Sequence, residues 1–513
     1  MEVKQMKKKL LTLALTVSLI FGFCSCALAS PKYDNAAGAP SFGMANDGYS
    51  NSESYTEIIE NSFVNTAEKP NSYFSIDANT ASYPNLRRFI TNSPNMSYIH
   101  KDAVRVEEML NYFNYDYETP DDGTVLSLTT SVFDTPYNSE TKLMSIGLAA
   151  EEVDFSGVRN NLVFLIDVSG SMYSNDKLPL VQQAFTMLVE NLNPDDRVSI
   201  VTYASGDSVP LAGAYGYEKQ KIIAAIEDLE AGGSTAGSKG IYRAYQLAEE
   251  YFIEGGNNRV ILATDGDFNV GTVTTAGLEA LISAKRESGI YFSVYGFGTG
   301  NIKSDKMETL ALKGNGVYSY IDSVKEAKRA LVEGIGGSIV TVAKDVKAGI
   351  TFNPEYVESY RLVGYENKLL TEEEFNDSNT DAGELGSGHT VTVVYEIVLT
   401  DKEFAEGDKF ADVTVRYKPT ENVGGDAATE QELTLIVGTD AYHKELTTTD
   451  KFVAAVVEFA LILRESEYKA QSDINALADR LSELDLANDE FKAEFRELVL
   501  LYREKLTNQQ QDA

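Results

Sequence analysis

Five oxygen-bearing side chains stand at three separated places in this 513-residue sequence, and each place borders a predicted strand or helix. They are Asp167, Ser169, Ser171, Thr235 and Asp265. The first three follow the unbroken apolar run LVFLI (162–166), Asp265 follows RVILAT (259–264), and Thr235 lies in GGSTAG (232–237). Carboxylates and hydroxyls concentrated at strand ends indicate that these groups bind something.

The chemistry of these side chains favours a hard divalent cation. Carboxylate and hydroxyl oxygens suit Mg²⁺, Mn²⁺ or Ca²⁺ better than Zn²⁺ or copper. If the three places meet in the folded chain, two aspartates would neutralise the ion, and one ligand position would stay open for an outside carboxylate. We expect these groups to lie at a loop rim. Alanine variants of Asp167, or of Ser169 with Ser171, would then lose the metal and keep the fold.

The elements that must position these residues alternate between strand and helix through residues 158–335. This alternation predicts an α/β fold with a doubly wound, mostly parallel sheet covered on both faces. In such sheets, ligands bind beyond the carboxyl ends of the strands, where the strand order reverses. The predicted strands are 162–166, 197–203, 259–264, 290–297 and 316–321, and the predicted helices are 177–192, 218–229, 240–252, 275–288, 305–313 and 324–333.

The flanking sequence follows other patterns. Residues 55–150 combine helix and strand signals and predict an N-terminal α+β module. Residues 336–513 begin with alternating apolar strands, typical of a β-sandwich-like module, and end in helical stripes from residue 450 onward. In the N-terminal module, helices are predicted over 85–92 and 104–113, and strands over 126–133 and 142–148.

The order and spacing of the polar motifs resemble the metal ion-dependent adhesion site of von Willebrand factor type A domains. Asp-x-Ser-x-Ser at 167–171, Thr235 in its glycine-rich loop and Asp265 at the later strand end match that pattern position by position. The resemblance covers residues 158–335. It implies a Rossmann-like fold, a divalent metal held by the five residues, and a protein-binding module whose metal bridges to an Asp or Glu of a partner.

The flanking sequence resembles that of bacterial exported A-domain proteins with an N-terminal von Willebrand-like region and an uncharacterised C-terminal region. Three segments carry this resemblance: YFSIDANTASYPNLRRFI (73–90), VRVEEMLNYFNYDY (104–117) and RLVGYENKLL (361–370). It implies residence in the cell envelope and names no ligand.

The N-terminus predicts export. Residues 1–29 have the lysines and short apolar stretch of a signal peptide, and residues 30–54 have the small, polar composition of a flexible linker. Cleavage after Ala29 and lipidation at Cys26 both stay open. The formal net charge of −34 argues against nucleic acid and anionic membrane surfaces as partners. Membrane contact is therefore expected only through a lipid on Cys26.

Three other interpretations stay open. Asp167 and the two serines could merely cap the following helix, because Asp and Ser are favoured there. A metal-dependent phosphohydrolase is a second interpretation, since Mg²⁺ at a strand end also serves phosphoryl transfer. It lacks an evident acid or base, and Lys177 is the nearest cation in sequence. In a third, the metal locks the protein's own domains by binding an acid of the loop 371–384.

Neighbouring motifs have plainer explanations. Asp267 is best explained as a turn residue after its strand. Gly296, Gly298 and Gly300 follow a strand but lack the acidic residue of a dinucleotide-binding loop. The three histidines are scattered and offer no zinc or Ser-His-Asp arrangement. We therefore expect this protein to be a protein-binding module of the cell envelope, either secreted or lipid-anchored. We do not expect it to be an enzyme.

Overall fold

The computed structural model describes residues 53–93, 99–120, 123–154, 157–234, 238–266, 274–300, 302–333 and 340–512. The predicted signal peptide and nearly all of the predicted linker lie outside these ranges. The N-terminal segment contains β1 (Val64–Asn65), β2 (Asn71–Ser75), α1 (Ser82–Asn92), α2 (Val106–Asn111), β3 (Leu126–Asp134) and β4 (Lys142–Ala150). The two helices and two strands predicted here are confirmed with slightly different ends.

The middle segment alternates strands and helices, as predicted. Its strands are β5 (Asn160–Asp167), β6 (Arg197–Tyr203), β7 (Asp207–Tyr215), β8 (Asn257–Thr264), β9 (Ile290–Phe297) and β10 (Tyr318–Ile321). Its helices are α3 (Leu178–Glu190), α4 (Lys219–Glu227), α5 (Ser238–Glu250), α6 (Thr275–Glu287), α7 (Ser304–Lys313) and α8 (Val324–Lys328), which continues into a π-helical turn (Arg329–Glu333). Strand β7 was not predicted, because its polar residues, Pro210 and Gly213 obscure a strand pattern.

The last segment begins with strands and ends with helices. Its strands are β11 (Thr341–Phe352), β12 (Val357–Val363), β13 (Gly383–Gly386), β14 (Thr390–Leu399), β15 (Lys409–Pro419), β16 (Gln431–Gly438) and β17 (Tyr442–His443). Its helices are α9 (Glu372–Asn376), α10 (Thr448–Leu463), α11 (Ile474–Ser482) and α12 (Glu490–Asp512). This order confirms the predicted change from strands to helices near residue 450.

The middle segment forms one six-stranded sheet in the order β10-β9-β8-β5-β6-β7. All neighbouring pairs are parallel except β6 with β7. Successive residues of β5 face opposite sides of the sheet. Phe164 packs in a core with Phe185 of α3 and Ile222 of α4, whereas Leu165 packs in a core with Ile241 of α5. The predicted doubly wound, mostly parallel α/β fold is confirmed.

The first and last segments share two further sheets. One has the order β1-β12-β14-β4-β3-β17, and in the other β11 pairs with β2, β13 and β15, while β16 pairs with β15. The inner faces of both sheets form one core that includes Phe74, Leu148 and Val413. The strands of residues 55–150 therefore do not form a sheet of their own. Alternating patterns show which face of a strand is buried but not which distant strand lies beside it.

The helices of the flanking segments pack on one another in an aromatic cluster. Helices α1, α2, α10, α11 and α12 contribute to it. Phe113 meets the rings of Phe452 and Phe495 edge to face, with centroids 4.9 and 5.5 Å apart. Each such pair adds about 0.5–1.5 kcal/mol beyond simple area burial. Among the described helices, none is both long and apolar enough to cross a membrane.

Candidate metal centre

Strand order places the two predicted aspartates side by side. Strand β5 lies between β6 and β8, and its register pairs Asp167 with Tyr203 on one side and Ile166 with Ala263 on the other. Strand β8 ends one residue before Asp265. The chain passes from β5 to β6 on one side and later returns to β8 on the other, so the strand order reverses here. Asp167 and Asp265 therefore leave the sheet together at its carboxyl edge.

The two predicted serines lie in the loop that follows β5. The Ser169 backbone N–H donates a 2.8 Å hydrogen bond to Oδ1 of Asp167. The Oγ atoms of Ser169 and Ser171 are 3.0 Å apart and share a hydrogen bond. Oδ2 of Asp167 accepts a longer, 3.5 Å hydrogen bond from the Thr264 hydroxyl. Two hydroxyls and one carboxylate thus converge within a single tight turn.

The helix-capping interpretation finds no support in these contacts. Helix α3 begins at Leu178, and Lys177 occupies its N-cap position. Ser169 precedes only a short 3₁₀ turn (Gly170–Tyr173) and forms no side-chain capping bond there. The polar groups of this loop are directed to one another and not to the first turn of α3.

The glycine-rich loop is held against the serine loop by backbone hydrogen bonds. The Gly232 N–H donates to the Val168 carbonyl at 2.7 Å, and the Gly170 N–H donates to the Gly233 carbonyl at 3.0 Å. Gly233 has a φ of +80°, and a Cβ there would lie 2.6 Å from the Ser205 hydroxyl, so glycine is needed at this position. The predicted ligand Thr235, like Asp267, lies outside the described residues. The structure brings its loop to the site as far as Ser234.

The expectation that these groups lie at a loop rim is wrong. Asp167, Ser169 and Asp265 are 0%, 1% and 1% exposed, and only Ser171 is partly exposed. Burial raises the pKa of Asp167 to about 6, and the charge of nearby Asp265 adds to this rise, whereas hydrogen bonds from Ser169 lower it. The reason for the burial is tertiary, because the glycine-rich loop packs over the serine turn. The four described side chains Asp167, Ser169, Ser171 and Asp265 thus form a largely covered cup, and the partly exposed Ser171 marks its opening.

A cation of the protein's own lies in this cup. The Lys177 Nζ donates a 2.8 Å hydrogen bond to Oδ2 of Asp265, and the lysine is 7% exposed. From the sequence, Lys177 is only the nearest cation to the serine motif, and its ion pair with Asp265 was not predicted. The available signal was a lysine directly before an apolar helix, which fits an ordinary helix start equally well.

The donor set fits a hard divalent cation. Two carboxylates and two hydroxyls match the oxygen ligands that Mg²⁺, Mn²⁺ and Ca²⁺ take in proteins. Within the described ranges, no three His, Cys, Asp or Glu side chains form a metal-binding group. A metal here would depend on the serine hydroxyls as much as on the acids. The histidines contact Asp102, Gly386 and Asp450, away from the cup.

Three family models match consecutive parts of the chain. The model described as von Willebrand factor matches residues 49–145, and that of the von Willebrand factor type A domain matches residues 161–332. The model described as the C-terminal part of uncharacterized protein YfbK matches residues 337–504. The middle match coincides with the α/β domain that carries the cup.

Similar proteins and structures match either most of this chain or only part of it. Von Willebrand factor type A from Catenulispora acidiphila is 16% identical, with a TM-score of 0.38 over 68% of this chain and 80% of that one. Inter-alpha-trypsin inhibitor heavy chain H3 of Mesocricetus auratus is 26% identical over 34% of this chain and 20% of its own length. Uncharacterized protein YfbK of Escherichia coli (strain K12) is 36% identical over 463 residues, which cover 86% of this chain and 78% of that protein. The chain therefore belongs to the YfbK family and carries a von Willebrand factor type A domain.

Proposed function

We propose that this protein is a binding module of the cell envelope that uses a divalent cation to hold an acidic residue of a partner protein. Asp167, Ser169, Ser171, Thr235 and Asp265 are its proposed metal ligands, and Mg²⁺, or Mn²⁺ or Ca²⁺ in its place, is the proposed ion. The observation that carries this proposal is the pair of serine hydroxyls, 3.0 Å apart, beside two buried aspartates at the strand-order reversal. Type A domains often mediate protein–protein interaction.

The bound metal would supply positive charge to a carboxylate that enters from outside. Two features of the chain favour binding of the metal and of this carboxylate: the buried aspartates and the hydrogen-bonded serine turn. Burial of Asp167 and Asp265 removes competing water, so charges in the cup interact more strongly than they would at the surface. The hydrogen bonds within the serine turn fix the hydroxyls before any ligand arrives. Such a preformed site binds with little loss of conformational entropy.

The surroundings of the cup favour an external partner. Tyr173 lies two residues after Ser171 and is 81% exposed, which offers an aromatic contact to a protein that reaches the opening. The loop 371–384 could supply an internal acidic ligand to the metal. Its Glu384 accepts a hydrogen bond from Asn315, which lies just before β10. That position is at the amino edge of the sheet, opposite the cup. This placement weighs against a metal that locks the protein's own domains.

The proposed location rests on the sequence. Residues 1–29 predict export, by cleavage after Ala29 or with a lipid on Cys26, and mass spectrometry of the mature N-terminus distinguishes these two routes. The phosphohydrolase alternative needs an available acid or base, and Lys177, the cation that contacts the cup, is paired with Asp265. We therefore propose a non-enzymatic role.

A crosslinking pull-down from an envelope-protein fraction tests the proposed function. The full mature chain is offered in Mg²⁺, in EDTA, and in Mg²⁺ as the Asp167→Asn variant. Asp195→Ala, an exposed acid before β6, is the matched control. We expect a partner whose capture requires Mg²⁺ and Asp167 and is unaffected by Asp195→Ala. Capture that persists in EDTA and in Asp167→Asn would refute metal-dependent binding.

A further inference from the structure

Lys177 reaches the cup from outside the three predicted motifs. It stands at the N-cap of α3, and its Nζ lies 2.8 Å from Oδ2 of Asp265. Both side chains are nearly inaccessible to water, with 8% of the lysine side chain and none of the aspartate side chain exposed. The ion pair is therefore held by the fold and is not a chance contact between mobile surface groups.

The aliphatic stem of Lys177 packs directly against the backbone of Gly298. Gly298, in the loop after β9, has a φ of +76°, and a Cβ there would come within 2.3 Å of Cγ and 2.4 Å of Cε of Lys177. The Tyr320 hydroxyl donates a 2.7 Å hydrogen bond to the Gly298 carbonyl and fixes this loop. The absence of a side chain at position 298 thus allows the lysine to extend to Asp265.

We propose that Lys177 is a built-in counter-cation that competes with the divalent metal for Asp265 and so sets the metal affinity of the site. This inference rests on the proposed function, because it assumes that Asp265 is a ligand. With two acids and one lysine, the described cup carries one net negative charge. A divalent ion would be attracted to the acids and repelled by the ammonium group. In this proposal, a metal ion that takes Oδ2 of Asp265 displaces the Lys177 ammonium group from that oxygen.

The same ion pair stabilises the metal-free protein. Without Lys177, the buried Asp265 would lose this cationic partner while it lies beside Asp167, another buried acid. Breaking a buried pair by removing one partner is destabilising for this reason. Lys177 therefore lowers the affinity of the site for a divalent metal and raises the stability of the metal-free protein.

Isothermal titration of Mg²⁺ into the full mature chain tests this inference. Lys177→Met keeps most of the aliphatic stem and removes the charge. Lys221→Met removes the same charge from an exposed lysine of α4 and controls for long-range electrostatics. We expect the Kd for Mg²⁺ of Lys177→Met to be roughly tenfold lower than that of the wild type, the size of one close charge–charge coupling. Lys221→Met should match the wild type. The thermal midpoint of metal-free Lys177→Met should fall, and Mg²⁺ should restore it.

The possible outcomes distinguish a failure of the Lys177 competition from a failure of the metal site itself. Equal or weaker Mg²⁺ binding by Lys177→Met, with clear binding by the wild type, would overturn the competition and leave the metal site standing. No Mg²⁺ binding by any variant, the wild type included, would overturn both. Tighter binding by Lys177→Met and Lys221→Met alike would also overturn the inference, because the effect would then be general electrostatics.

A second variant keeps the test decisive if Lys177→Met does not fold. Gly298→Ala leaves every charge in place but obstructs the lysine stem, and we expect it to tighten Mg²⁺ binding as well. Gly300→Ala is its matched control, because Gly300 lies in the same loop with a φ of +90° but has open space where a Cβ would be. Unchanged Mg²⁺ affinity in Gly298→Ala would contradict the competition.

Discussion

The backbone N–H of Gly170 donates a 3.0 Å hydrogen bond to the carbonyl of Gly233. This bond joins the serine turn after β5 to the glycine-rich loop before α5, two parts of the chain that are far apart in sequence. It brings the neighbourhood of the proposed ligand Thr235 to the two serines and Asp167. The proposed metal site depends on this contact as much as on the ligands themselves.

We expect Gly233→Ala to weaken Mg²⁺ binding substantially. Alanine at a φ of +80° costs about 1–2 kcal/mol, and its Cβ would collide with the Ser205 hydroxyl, so the loop must shift away from Gly170. Gly232→Ala is the matched control, because it adds a Cβ to the same loop where no atom lies within 4 Å. Titration calorimetry compares the two. Equal Mg²⁺ affinities would show that the position of this loop does not matter.

Asp167→Asn should abolish Mg²⁺ binding and leave the fold intact. Asparagine can still accept the Ser169 N–H bond with its amide oxygen, but it brings no negative charge. Because burial raises the pKa of Asp167, the folded protein disfavours its charged form, and the metal-free variant should melt at the same or a higher temperature than the wild type. Circular dichroism and calorimetry check both points. Loss of the fold would mean that Asp167 is a structural residue.

Tyr173→Ala should weaken capture of the partner protein without changing Mg²⁺ affinity. The ring is largely exposed two residues after Ser171 and is not one of the proposed metal ligands, so it can contact a partner without contributing to the metal site. Tyr217→Ala, another exposed tyrosine located beyond β7 at the opposite edge of the sheet, is the control. Pull-down efficiency and calorimetry give the two readouts. If both tyrosine variants capture the partner equally well, the partner does not cover this side of the opening.

Arg87→Met should destabilise the whole described unit by about 3–5 kcal/mol, the range for breaking a buried ion pair. The Arg87 guanidinium pairs with Asp322 after β10, Glu326 of α8 and Glu494 of α12, and the Glu326 side chain is fully buried. The variant leaves these acids without their common partner. Urea denaturation measures the change. Arg496→Met removes a partly exposed arginine from its pair with the exposed Glu497 and should change stability by less than about 1 kcal/mol. Similar losses in both variants would show that Arg87 has no special role.

Glu107→Gln should stabilise the protein at pH 8 more than at pH 5. Burial, followed by the charge of Glu366, raises the pKa of Glu107 to about 7. Neither carboxyl oxygen has a hydrogen-bond partner in the described structure, although Arg105 lies 3.9 Å away. A raised carboxyl pKa means that the folded state binds the extra proton, so its stability falls as pH rises from about 4.5 to about 7.

Thermal melts of Glu107→Gln and the wild type from pH 5 to pH 8 measure this pH-dependent difference in stability. Glutamine resembles the protonated acid, and the gain at pH 8 should be at most about 3 kcal/mol. Glu68→Gln, at an exposed position, should show no pH-dependent difference. A constant difference between Glu107→Gln and the wild type from pH 5 to pH 8 would contradict this assignment.

Strand and helix patterns were sufficient to predict the α/β domain, and with the assumption that the polar places converge they also placed Asp167 beside Asp265. The prediction succeeded because parallel strands present their carboxyl ends at one edge and the strand order must reverse somewhere. The sharing of sheets between the first and last segments could not be predicted. Strand β4 pairs with β14, and β2 pairs with β11, across the whole intervening domain. Such pairings depend on tertiary packing.

The burial of Ser169 and the ion pair of Lys177 with Asp265 were not predicted, because both also depend on tertiary packing. The burial of Ser169 results from a loop that arrives from elsewhere in the chain, and the path of Lys177 depends on Gly298 in a third loop. A single sequence gives the identity of each side chain but not the distance between residues such as Lys177 and Asp265. Three-dimensional contacts were needed to find the internal cation.

Anomalous diffraction from crystals of the mature chain grown with Mn²⁺ shows whether the cup binds a metal ion and which side chains hold it. We expect one strong manganese peak within coordination distance of the Ser169 and Ser171 hydroxyls, close to Asp167 and Asp265, with Lys177 withdrawn from Asp265. The absence of a manganese peak in this cup, with Lys177 still paired to Asp265, would contradict the proposed metal site.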